Sequence, residues 1–300
     1  MPLQAQSFLA AARAHIEPLR GRFIHEAIER DYLAKTGQTD VGYEEWLRRI
    51  VPWLGSLAGA GPSPRVLDLG CGTGELTVLM NHLGFDARGI DVHDDHLALA
   101  RILAEENGIA RDRFVHYDGG TLPFADDSID VVTMFVVLEH LSDTILEVLL
   151  PEVRRVCRGV VFIQVPNRLQ TRDDHTGLAF LPWLPRGIAV HAVRAAGPRH
   201  AYGISKDGSW DVHYRMWGTL RRLFERHGFQ LDFVPEELVF PSMKEVPPLF
   251  SPPPPGARIV TRLAYAPLRI LRDTLIRLGM PRRAFDPYLN LVAARSTDRR

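Results

Sequence analysis

The chain has 300 residues, of which 46% are hydrophobic and 24% charged, and this share of apolar side chains excludes an intrinsically disordered chain. Lysine and arginine together number 36, as do aspartate and glutamate, so the chain lacks the overall basic field of nucleic-acid-binding proteins and no nucleic-acid partner is expected. The two cysteines, Cys71 and Cys157, are too few for a disulfide framework, which fits a reducing compartment.

Residues 1–60 are predicted to form an N-terminal helical cap ahead of the first strand. Apolar side chains recur at helical spacing in two stretches, the first with Ile16, Leu19, Phe23, Ala27 and Ile28 and the second with Tyr43, Trp46, Leu47, Ile50 and Leu54. Residues 37–40 separate the two predicted helices. The N-terminus lacks a basic leader, and no apolar run approaches the ~18 residues of a membrane span, so a cytoplasmic location is expected.

The stretch Val66–Gly74 reads Val-Leu-Asp-Leu-Gly-Cys-Gly-Thr-Gly and lies at the start of a predicted second domain, residues 61–300. Its apolar start predicts a strand buried on both faces, and a helical pattern of leucines follows its last glycine. Strand, glycine turn and helix are typical of a ligand site, because glycines admit a close ligand and the helix start offers free N–H groups. The dinucleotide spacing Gly-x-Gly-x-x-Gly fails, since the residue after Gly74 is Glu75.

Three further segments follow in order, each a predicted strand with polar residues after it. They are Ala87–Ile90 with Asp91, Phe114–Tyr117 with Asp118, and Ile129–Val136 with Leu138-Glu-His-Leu. Together with Asp68 and the three glycines, their order and spacing resemble the signatures of the class I S-adenosylmethionine-dependent methyltransferases. The resemblance covers about residues 60 to 235.

The resemblance implies a doubly wound α/β fold with a seven-stranded, mostly parallel, Rossmann-like sheet whose last strand runs antiparallel between strands five and six. The remaining predicted strands are Gly159–Val165, Phe229–Val234 and Tyr288–Ala294. A helix is predicted over Thr144–Cys157, where Pro151 should kink it or start a new turn. Two insertions, residues 166–215 and 236–287, are expected near the active-site face, where open α/β sheets bind ligands.

The same resemblance implies S-adenosyl-L-methionine as the cofactor. The glycine loop would line its methionine and ribose parts, Asp68 would face the methionine end, directly or through water, and Asp91 would accept from both ribose hydroxyls. Asp118 would bond the adenine amino group, and Phe135 would lie near the methionine part. The predicted cofactor-binding set is Asp68, Gly70, Cys71, Gly72, Gly74, Asp91, Val92, Asp118, Gly119 and Phe135, with Cys71 as a small space-filling residue and not a nucleophile.

A hydroxyl acceptor needs a general base, whereas an amine needs only its neutral lone pair. His140 and His213 are the candidate catalytic bases, because similar methyltransferases often carry histidine at these two places; either could instead be structural. His175, a third candidate base, is predicted with Trp183 and Tyr214 to bind the acceptor. Two aspartates precede His175 and could suggest a metal, but adjacent residues on one loop rarely complete a site, so no metal is expected.

The favoured hypothesis is methyl transfer to a hydroxyl group of a small molecule, such as a sugar, a glycan end or a secondary metabolite. N-Methylation of a small-molecule amine stays open. Glu75 argues against a nicotinamide-dependent dehydrogenase, and the intact cofactor positions with several histidines argue against a non-catalytic regulator. A homo-oligomer is also left open.

Residues 258–283 form a basic segment with seven arginines and one acid, Asp273, a local charge of 7 − 1 = +6 in a chain that is neutral overall. Its leucines at helical spacing are Leu268, Leu271, Leu275 and Leu278. Such a basic amphipathic helix can lie on an anionic membrane, so a peripheral membrane contact is one hypothesis. The alternative is that the leucines pack on the sheet or on a partner subunit and the arginines are solvated.

Overall fold

The structure is a computed structural model that describes residues 2–39, 41–205, 207–240 and 259–296, with side chains from Ala266 onward in the last range. The described helices are α1 (Gln6–Ile16), α2 (Phe23–Lys35), α3 (Tyr43–Leu57), α4 (Glu75–His82), α5 (Asp94–Glu106), α6 (Asp143–Val156), α7 (Arg186–Ala195), α8 (Trp217–Arg226) and α9 (Ile259–Arg277). The strands are β1 (Arg65–Leu69), β2 (Asp86–Asp91), β3 (Phe114–His116), β4 (Ile129–Phe135), β5 (Cys157–Pro166), β6 (Phe229–Phe233) and β7 (Tyr288–Arg295).

The seven strands form one sheet in the order β3-β2-β1-β4-β5-β7-β6. Neighbouring strands from β3 to β5 run parallel, while β7 pairs antiparallel with both β5 and β6. The strand order reverses between β1 and β4, and ligands of open α/β sheets bind at the carboxyl ends of the strands beside such a switch point. The predicted seven-stranded sheet with an antiparallel last strand is confirmed.

Helices cover both faces of the sheet. Successive residues of a strand point to opposite sides, so each strand contributes side chains to two separate cores. In β1, Val66 belongs to a core with α3, α4 and α5, whereas Leu67 belongs to a second core with α6 and α8. In β4, Val131 and Val132 divide in the same way. This double burial explains why these strands read as continuous apolar runs.

The N-terminal cap contains three helices, so the prediction of one helix over the stretch Ile16–Ile28 was wrong. α1 ends at Ile16, and Pro18 lies in the short 3₁₀ turn that follows. Gly21 then has φ +81°, a left-handed conformation that interrupts any α-helix, and α2 begins at Phe23. The apolar spacing continued across this break, which is why periodicity alone missed it.

The cap is attached both to the sheet domain and to the first insertion. The Glu106 carboxylate, at the end of α5, accepts hydrogen bonds from the N–H groups of Ser7 and Phe8 at 2.7 and 3.0 Å, at the free start of α1. Arg22, just before α2, donates to the carbonyl oxygen of Ala201 at 2.6 Å. The cap therefore bridges the two parts, and the predicted division of the chain near residue 60 stays a prediction.

Helix α6 runs through Pro151 as one element, so of the two expectations for this proline, a kink and a new turn, the new turn is excluded and the kink stays a prediction. Ser142 caps the helix, its hydroxyl oxygen accepting from the N–H of Ile145 at 3.3 Å. Part of the second predicted insertion, residues 241–258, lies outside the described residues. Among the helices that the structure describes, none has the length and apolar character needed to span a bilayer.

A buried carboxylate joins the amino ends of three neighbouring strands. Asp130, in β4, is 3% exposed and accepts two hydrogen bonds from the Arg65 guanidinium at 2.9 and 3.0 Å, with a third from Arg158. Burial alone would raise the pKa of Asp130, but the hydrogen bonds from the two arginines outweigh it and hold that pKa well below its usual range.

Replacing Asp130 with asparagine should lower the free energy of unfolding at neutral pH by about 1–3 kcal/mol, the scale for hydrogen bonds to a charged group. Because the pKa is lower in the folded state, this stabilisation is complete above the unfolded-state pKa of about 3.9 and declines as the pH falls below it. Urea unfolding at several pH values should show the wild-type advantage shrinking from about pH 5 downward. The control is Asp126→Asn, which breaks an exposed ion pair with Arg155 and should cost less than about 1 kcal/mol; equal losses would contradict the assignment.

Candidate cofactor and acceptor site

The glycine loop after β1 has two packed glycines and one open one. Gly70, Gly72 and Gly74 have φ values of +74°, +53° and +83°, which glycine adopts without strain. A Cβ on Gly70 would lie 2.7 Å from Val137, and one on Gly74 would lie 2.5 Å from Ala100, whereas one on Gly72 would meet nothing within 4 Å. The loop therefore packs tightly on two sides and leaves open space at Gly72, where a ligand can approach its backbone.

Asp91, at the carboxyl end of β2, holds this loop in place. Its two carboxylate oxygens accept from the N–H groups of Gly72 and His93, each at 2.9 Å, and the residue is 8% exposed. The strand end, the loop and the start of α5 thus share one carboxylate. The structure brings Asp91 to the glycine loop, as expected of a residue that would accept from a ribose diol there.

Asp68 lies beneath the loop and is nearly enclosed. Its oxygens accept from the hydroxyl groups of Thr77 at 2.7 Å and Thr133 at 2.9 Å. Burial raises its pKa to about 6, although both hydroxyl hydrogen bonds act in the opposite direction. Because both oxygens are engaged, Asp68 ties β1 to α4 and β4, and its predicted contact with the methionine end stays a prediction.

The residues predicted to bind near the adenine are exposed. Asp118 and Gly119 follow β3 at the surface, with one Asp118 oxygen accepting from the N–H of Gly120 at 2.9 Å, and Val92 is also exposed. Cys71 fills space against Gly89, where an added Cβ would lie 2.8 Å from its sulfur. Burial raises the pKa of the Cys71 thiol well above its usual value, so it is not an activated nucleophile.

A cavity of about 300 Å³, here called the acceptor cavity, lies at the carboxyl edge of the sheet next to Phe135. Its lining is part apolar and part polar, and the cap contributes to both. The apolar side chains include Ile24, Ala27, Ile28, Trp46, Leu76, Phe135 and Phe240. The polar groups are Asp31, Lys35, Gln164, Asp174, His175 and Tyr288. Its size is at the lower end of the range for small-molecule sites.

Two charged residues of this cavity, Asp31 and Lys35, were missed by sequence reasoning. They form an ion pair at 2.6 Å between neighbouring turns of α2. Desolvation lowers the pKa of Lys35, but the charges of Asp31 and Glu75 outweigh it and raise that pKa overall, so the ammonium stays charged. In the sequence the pair resembles any solvated i,i+4 pair, and only the fold shows that it faces a cavity.

The turn after β4 carries backbone strain where it borders the cavity. Val136 has φ +56°, which is costly for a β-branched residue, and its N–H is held by the carbonyl oxygen of Gln164 at 2.8 Å. The next turn, Leu138–His140, places Glu139 in the interior, with its side chain fully buried. Such strain is common at functional sites, and here it directs the chain after β4 into the interior.

The candidate histidines separate into two places. The rings of His140 and His175 meet edge to face with centroids 5.3 Å apart, and His175 lines the acceptor cavity. His213 lines a neighbouring cleft of about 470 Å³ together with Tyr214. The backbone N–H of His213 donates to the backbone carbonyl oxygen of Glu139 at 2.6 Å. Desolvation, reinforced by neighbouring cationic side chains, lowers the pKa of both His140 and His213 to about 4.

Trp183 and Tyr214, the other two predicted acceptor residues, are not among the residues that line the acceptor cavity. Trp183 packs in a separate cluster around Ala284 and Phe285. Tyr214 contacts the cavity residue His175 through its hydroxyl group, which donates to Asp173 and lies 3.2 Å from Nδ1 of His175. Tyr214 thus positions a cavity residue.

Residues 66–159 match the family model described as a methyltransferase domain. The matched span contains the glycine loop, Asp91, Asp118 and the turn with Glu139 and His140, which are the features that the geometry places at one edge of the sheet. These residues form a class I S-adenosylmethionine-dependent methyltransferase domain. S-adenosylmethionine is the cofactor of this family, and the open approach at Gly72 beside Asp91 fits its ribose and methionine parts.

Relatives of this methyltransferase domain include enzymes of quinone biosynthesis. The chain is 30% identical over 129 residues to a ubiquinone biosynthesis O-methyltransferase of Ruegeria sp. (strain TM1040), covering 41% of this chain and 51% of the relative. It is 31% identical over 102 residues to the ubiquinone/menaquinone biosynthesis C-methyltransferase UbiE of Shewanella sp. (strain W3-18-1), covering 33% and 39%. The chain thus spans about half or less of the length of these two relatives. A solved S-adenosylmethionine dependent methyltransferase from Mesorhizobium loti is 19% identical with a TM-score of 0.45, covering 78% of this chain and 91% of that one.

Asp91→Ala should weaken binding of S-adenosylmethionine and of its demethylated product by about 1.5–3 kcal/mol, because hydrogen bonds to a charged acceptor are lost. Isothermal titration calorimetry measures both affinities. The matched control is Asp86→Ala, at the exposed opposite end of the same strand, which should bind as the wild type does. An unchanged affinity in a folded Asp91→Ala variant would remove Asp91 from the methyltransferase domain's cofactor site.

Proposed function

We propose that this protein transfers the methyl group of S-adenosylmethionine to a hydroxyl oxygen of a small molecule bound in the acceptor cavity. The observation that carries the proposal is the position of this cavity: it borders Phe135 at the end of β4 and Leu76 in the first turn of α4, beside the glycine loop. A cofactor held by the loop and Asp91 would therefore have its methyl group close to the cavity. Methyl transfer needs this in-line proximity and the exclusion of water.

The lining of the cavity supports an acceptor with both an apolar body and polar groups. Trp46 and Phe135 stand edge to face with ring centroids 5.7 Å apart in this lining, and Asp174, His175 and Tyr288 supply polar groups. A hydroxylated aromatic or polyketide-like secondary metabolite fits this mixed lining better than a sugar or a glycan, whose hydroxyl groups are distributed over the whole molecule. The two relatives, which are O- and C-methyltransferases of quinone biosynthesis, are consistent with such an acceptor.

The cap and the first insertion are proposed to close over the bound acceptor. Arg172 of the insertion lies over the ring of Phe23 in α2, with its guanidinium carbon 5.3 Å from the ring centre. Gly177 touches the same ring so closely that an added Cβ would lie 2.6 Å from it. These contacts keep the two segments together above the carboxyl edge of the sheet, where they would exclude water from the reacting atoms.

We propose His140 or His213 as the group that takes the proton of the acceptor hydroxyl. His140→Ala should lower kcat by about 10²–10⁴-fold if it is that base, because loss of a general base has effects of this size. His213→Ala tests the second candidate in the same way. The measurement is transfer of a labelled methyl group from S-adenosylmethionine to a panel of hydroxylated acceptors, with cofactor affinity checked by calorimetry.

The control for this pair is His191→Ala, on the exposed side of α7, which should keep wild-type kcat. If both His140→Ala and His213→Ala also keep it, the acceptor needs no histidine base. An amine acceptor, whose neutral lone pair attacks without a base, would then be the better assignment. Clear binding of NAD with no binding of S-adenosylmethionine would reject methyl transfer altogether.

We also propose that α9 and the turn after it attach the protein to an anionic membrane surface. Two of the four leucines at helical spacing, Leu268 and Leu275, pack against the cluster of Ala284 and Phe285 and are not available to a membrane. The other apolar residues face outward, with exposed fractions of 55%, 64% and 79% for Leu271, Ile270 and Leu278. Three exposed arginines accompany them, namely Arg269, Arg277 and Arg282. Exposed apolar side chains beside cations are the combination that a headgroup region binds.

Vesicle flotation tests the attachment. The protein should float with vesicles that contain anionic lipids, should stay behind with phosphatidylcholine alone, and should be released by high salt because screening weakens the attraction. Leu271→Glu combined with Leu278→Glu should abolish flotation. Val148→Glu, on the exposed face of α6, is the matched control and should float normally. Flotation that is equal in all variants, or absent in the wild type at low salt, would contradict the proposal.

The two free cysteines, Cys71 and Cys157, support a reducing compartment, so the proposed attachment would be to the cytoplasmic face of a membrane.

A further inference from the structure

We propose that Glu139, His140 and His175 bind a divalent first-row transition metal ion at the edge of the acceptor cavity. The ligand atoms that these three side chains offer all lie within 4.8 Å of one another. Two of them come from the turn after β4 and the third from the first insertion, so the fold joins residues separated by 35 positions along the sequence (175 − 140 = 35). The two aspartates that precede His175 are not among these three ligands.

The strongest observation concerns the burial and hydrogen bonding of the Glu139 carboxylate. Its side chain is 0% exposed, and no residue in the described part of the chain donates a hydrogen bond to either carboxylate oxygen. Leaving a buried carboxylate without hydrogen bonds is costly, and buried charges are normally paired or coordinate metals. Arg215, whose charge acts on Glu139, directs its donors elsewhere, to the carbonyl oxygens of Leu138 and Leu141 and to the carboxylate of Asp143.

His175 is held in the manner of a metal ligand. Its Nδ1 lies 3.2 Å from the hydroxyl oxygen of Tyr214 and 3.4 Å from the carboxylate of Asp173, which leaves Nε2 for another partner. Asp173 is fully buried and also accepts from the N–H of Thr176 at 2.6 Å. Metal-bound histidines almost always donate their second ring N–H to a carboxylate, a carbonyl or water, which fixes the ring and its tautomer.

The third ligand, His140, has the freedom to complete the site. Two ligands on one tetrahedral metal ion at 2.0–2.1 Å are roughly 3.3 Å apart, so a modest rotation of a side chain brings the present spacing to bonding geometry. His140 is the most exposed of the three side chains, whereas Glu139 and His175 are enclosed, so His140 is the ligand that can move. Two imidazoles and one carboxylate suit zinc and its neighbours, whereas magnesium and calcium prefer oxygen ligands alone.

Three protein ligands would leave at least one position of the metal ion open, and because His175 lines the acceptor cavity, that position would be available to the acceptor. An acceptor hydroxyl bound there would lose its proton to water. Its oxygen lone pair would then form the bond to the methyl carbon, and the carbon–sulfur bond would break with its electron pair remaining on sulfur. This role rests on the proposed methyl transfer to oxygen, and it would make His140 a ligand rather than a base.

Metal binding can be measured without acceptor or cofactor, so its failure is distinct from failure of the proposed function. The full-length protein, freed of metal with a chelator, is titrated with Zn²⁺ by calorimetry and with Co²⁺ by its visible absorption bands, with Mg²⁺ as the comparison. One Zn²⁺ should bind per chain and Mg²⁺ should bind far more weakly. Glu139→Gln and His175→Ala should weaken Zn²⁺ binding by more than ~100-fold, and Asp173→Asn by ~10–100-fold.

The control is His15→Ala, in the one other group of such ligands among the described residues, His15 with Asp95 and His96. It should leave the Zn²⁺ affinity unchanged, and loss of binding in this variant would overturn the assignment. Binding of the demethylated cofactor reports whether each variant folds. Should the buried variants fail that check, His140→Ala decides, because its exposed side chain can be removed with little disturbance. Wild-type Zn²⁺ affinity in His140→Ala, or no binding to the wild type at all, would also overturn the proposal.

Discussion

The hydrogen bonds around the carboxyl end of β2 are the constraint on which the ligand-binding edge depends. Asp91 accepts from the N–H of Gly72, while the carbonyl oxygen of Ile90 accepts from the N–H groups of Gly70 and Cys71 at 2.8 and 2.9 Å. The loop is thereby fixed by its neighbouring strand before any ligand arrives. A preorganised loop avoids the entropic cost of ordering upon binding, and the same carboxylate remains at the edge where a ribose would lie.

The acceptor cavity depends instead on segments that are far apart in the sequence. Trp46 of the cap packs on Phe135 and Phe162 of the sheet, and its indole N–H donates to the carbonyl oxygen of Leu238 at 2.7 Å. Most of the cavity wall therefore lies outside residues 66–159, the part that matches the methyltransferase family model. This division explains why the cofactor follows from similarity whereas the acceptor must be inferred from the cap and the insertions.

The individual strands and the glycine loop were predicted to within a few residues, because their signals are local: apolar runs bounded by glycine and aspartate. The arrangement of the strands in one sheet was implied by the resemblance to class I methyltransferases. The cap was predicted less well, since the apolar spacing continued across Pro18 and Gly21. The separation of His175 from His213 could not be predicted at all. It follows from the path of the first insertion, which is set by long-range hydrogen bonds such as those from the Asn167 amide to the carbonyl oxygens of Ala284 and Asp286, both at 2.9 Å.

Glu139 shows how function can be built against local stability. The Arg215 side chain, itself 5% exposed, holds the surrounding turn through two carbonyl oxygens, at 2.8 Å for Leu138 and 2.7 Å for Leu141, and its charge is paired with Asp143. The turn is thus stabilised in a way that encloses the Glu139 carboxylate, to which no residue in the described ranges donates a hydrogen bond. A purely structural turn would gain from an apolar residue at this position, because replacing a buried charge with an apolar group of similar size is often neutral or stabilising. The carboxylate of Glu139 lies next to two imidazoles and the acceptor cavity. A bound positively charged species explains its presence there better than a role in folding does.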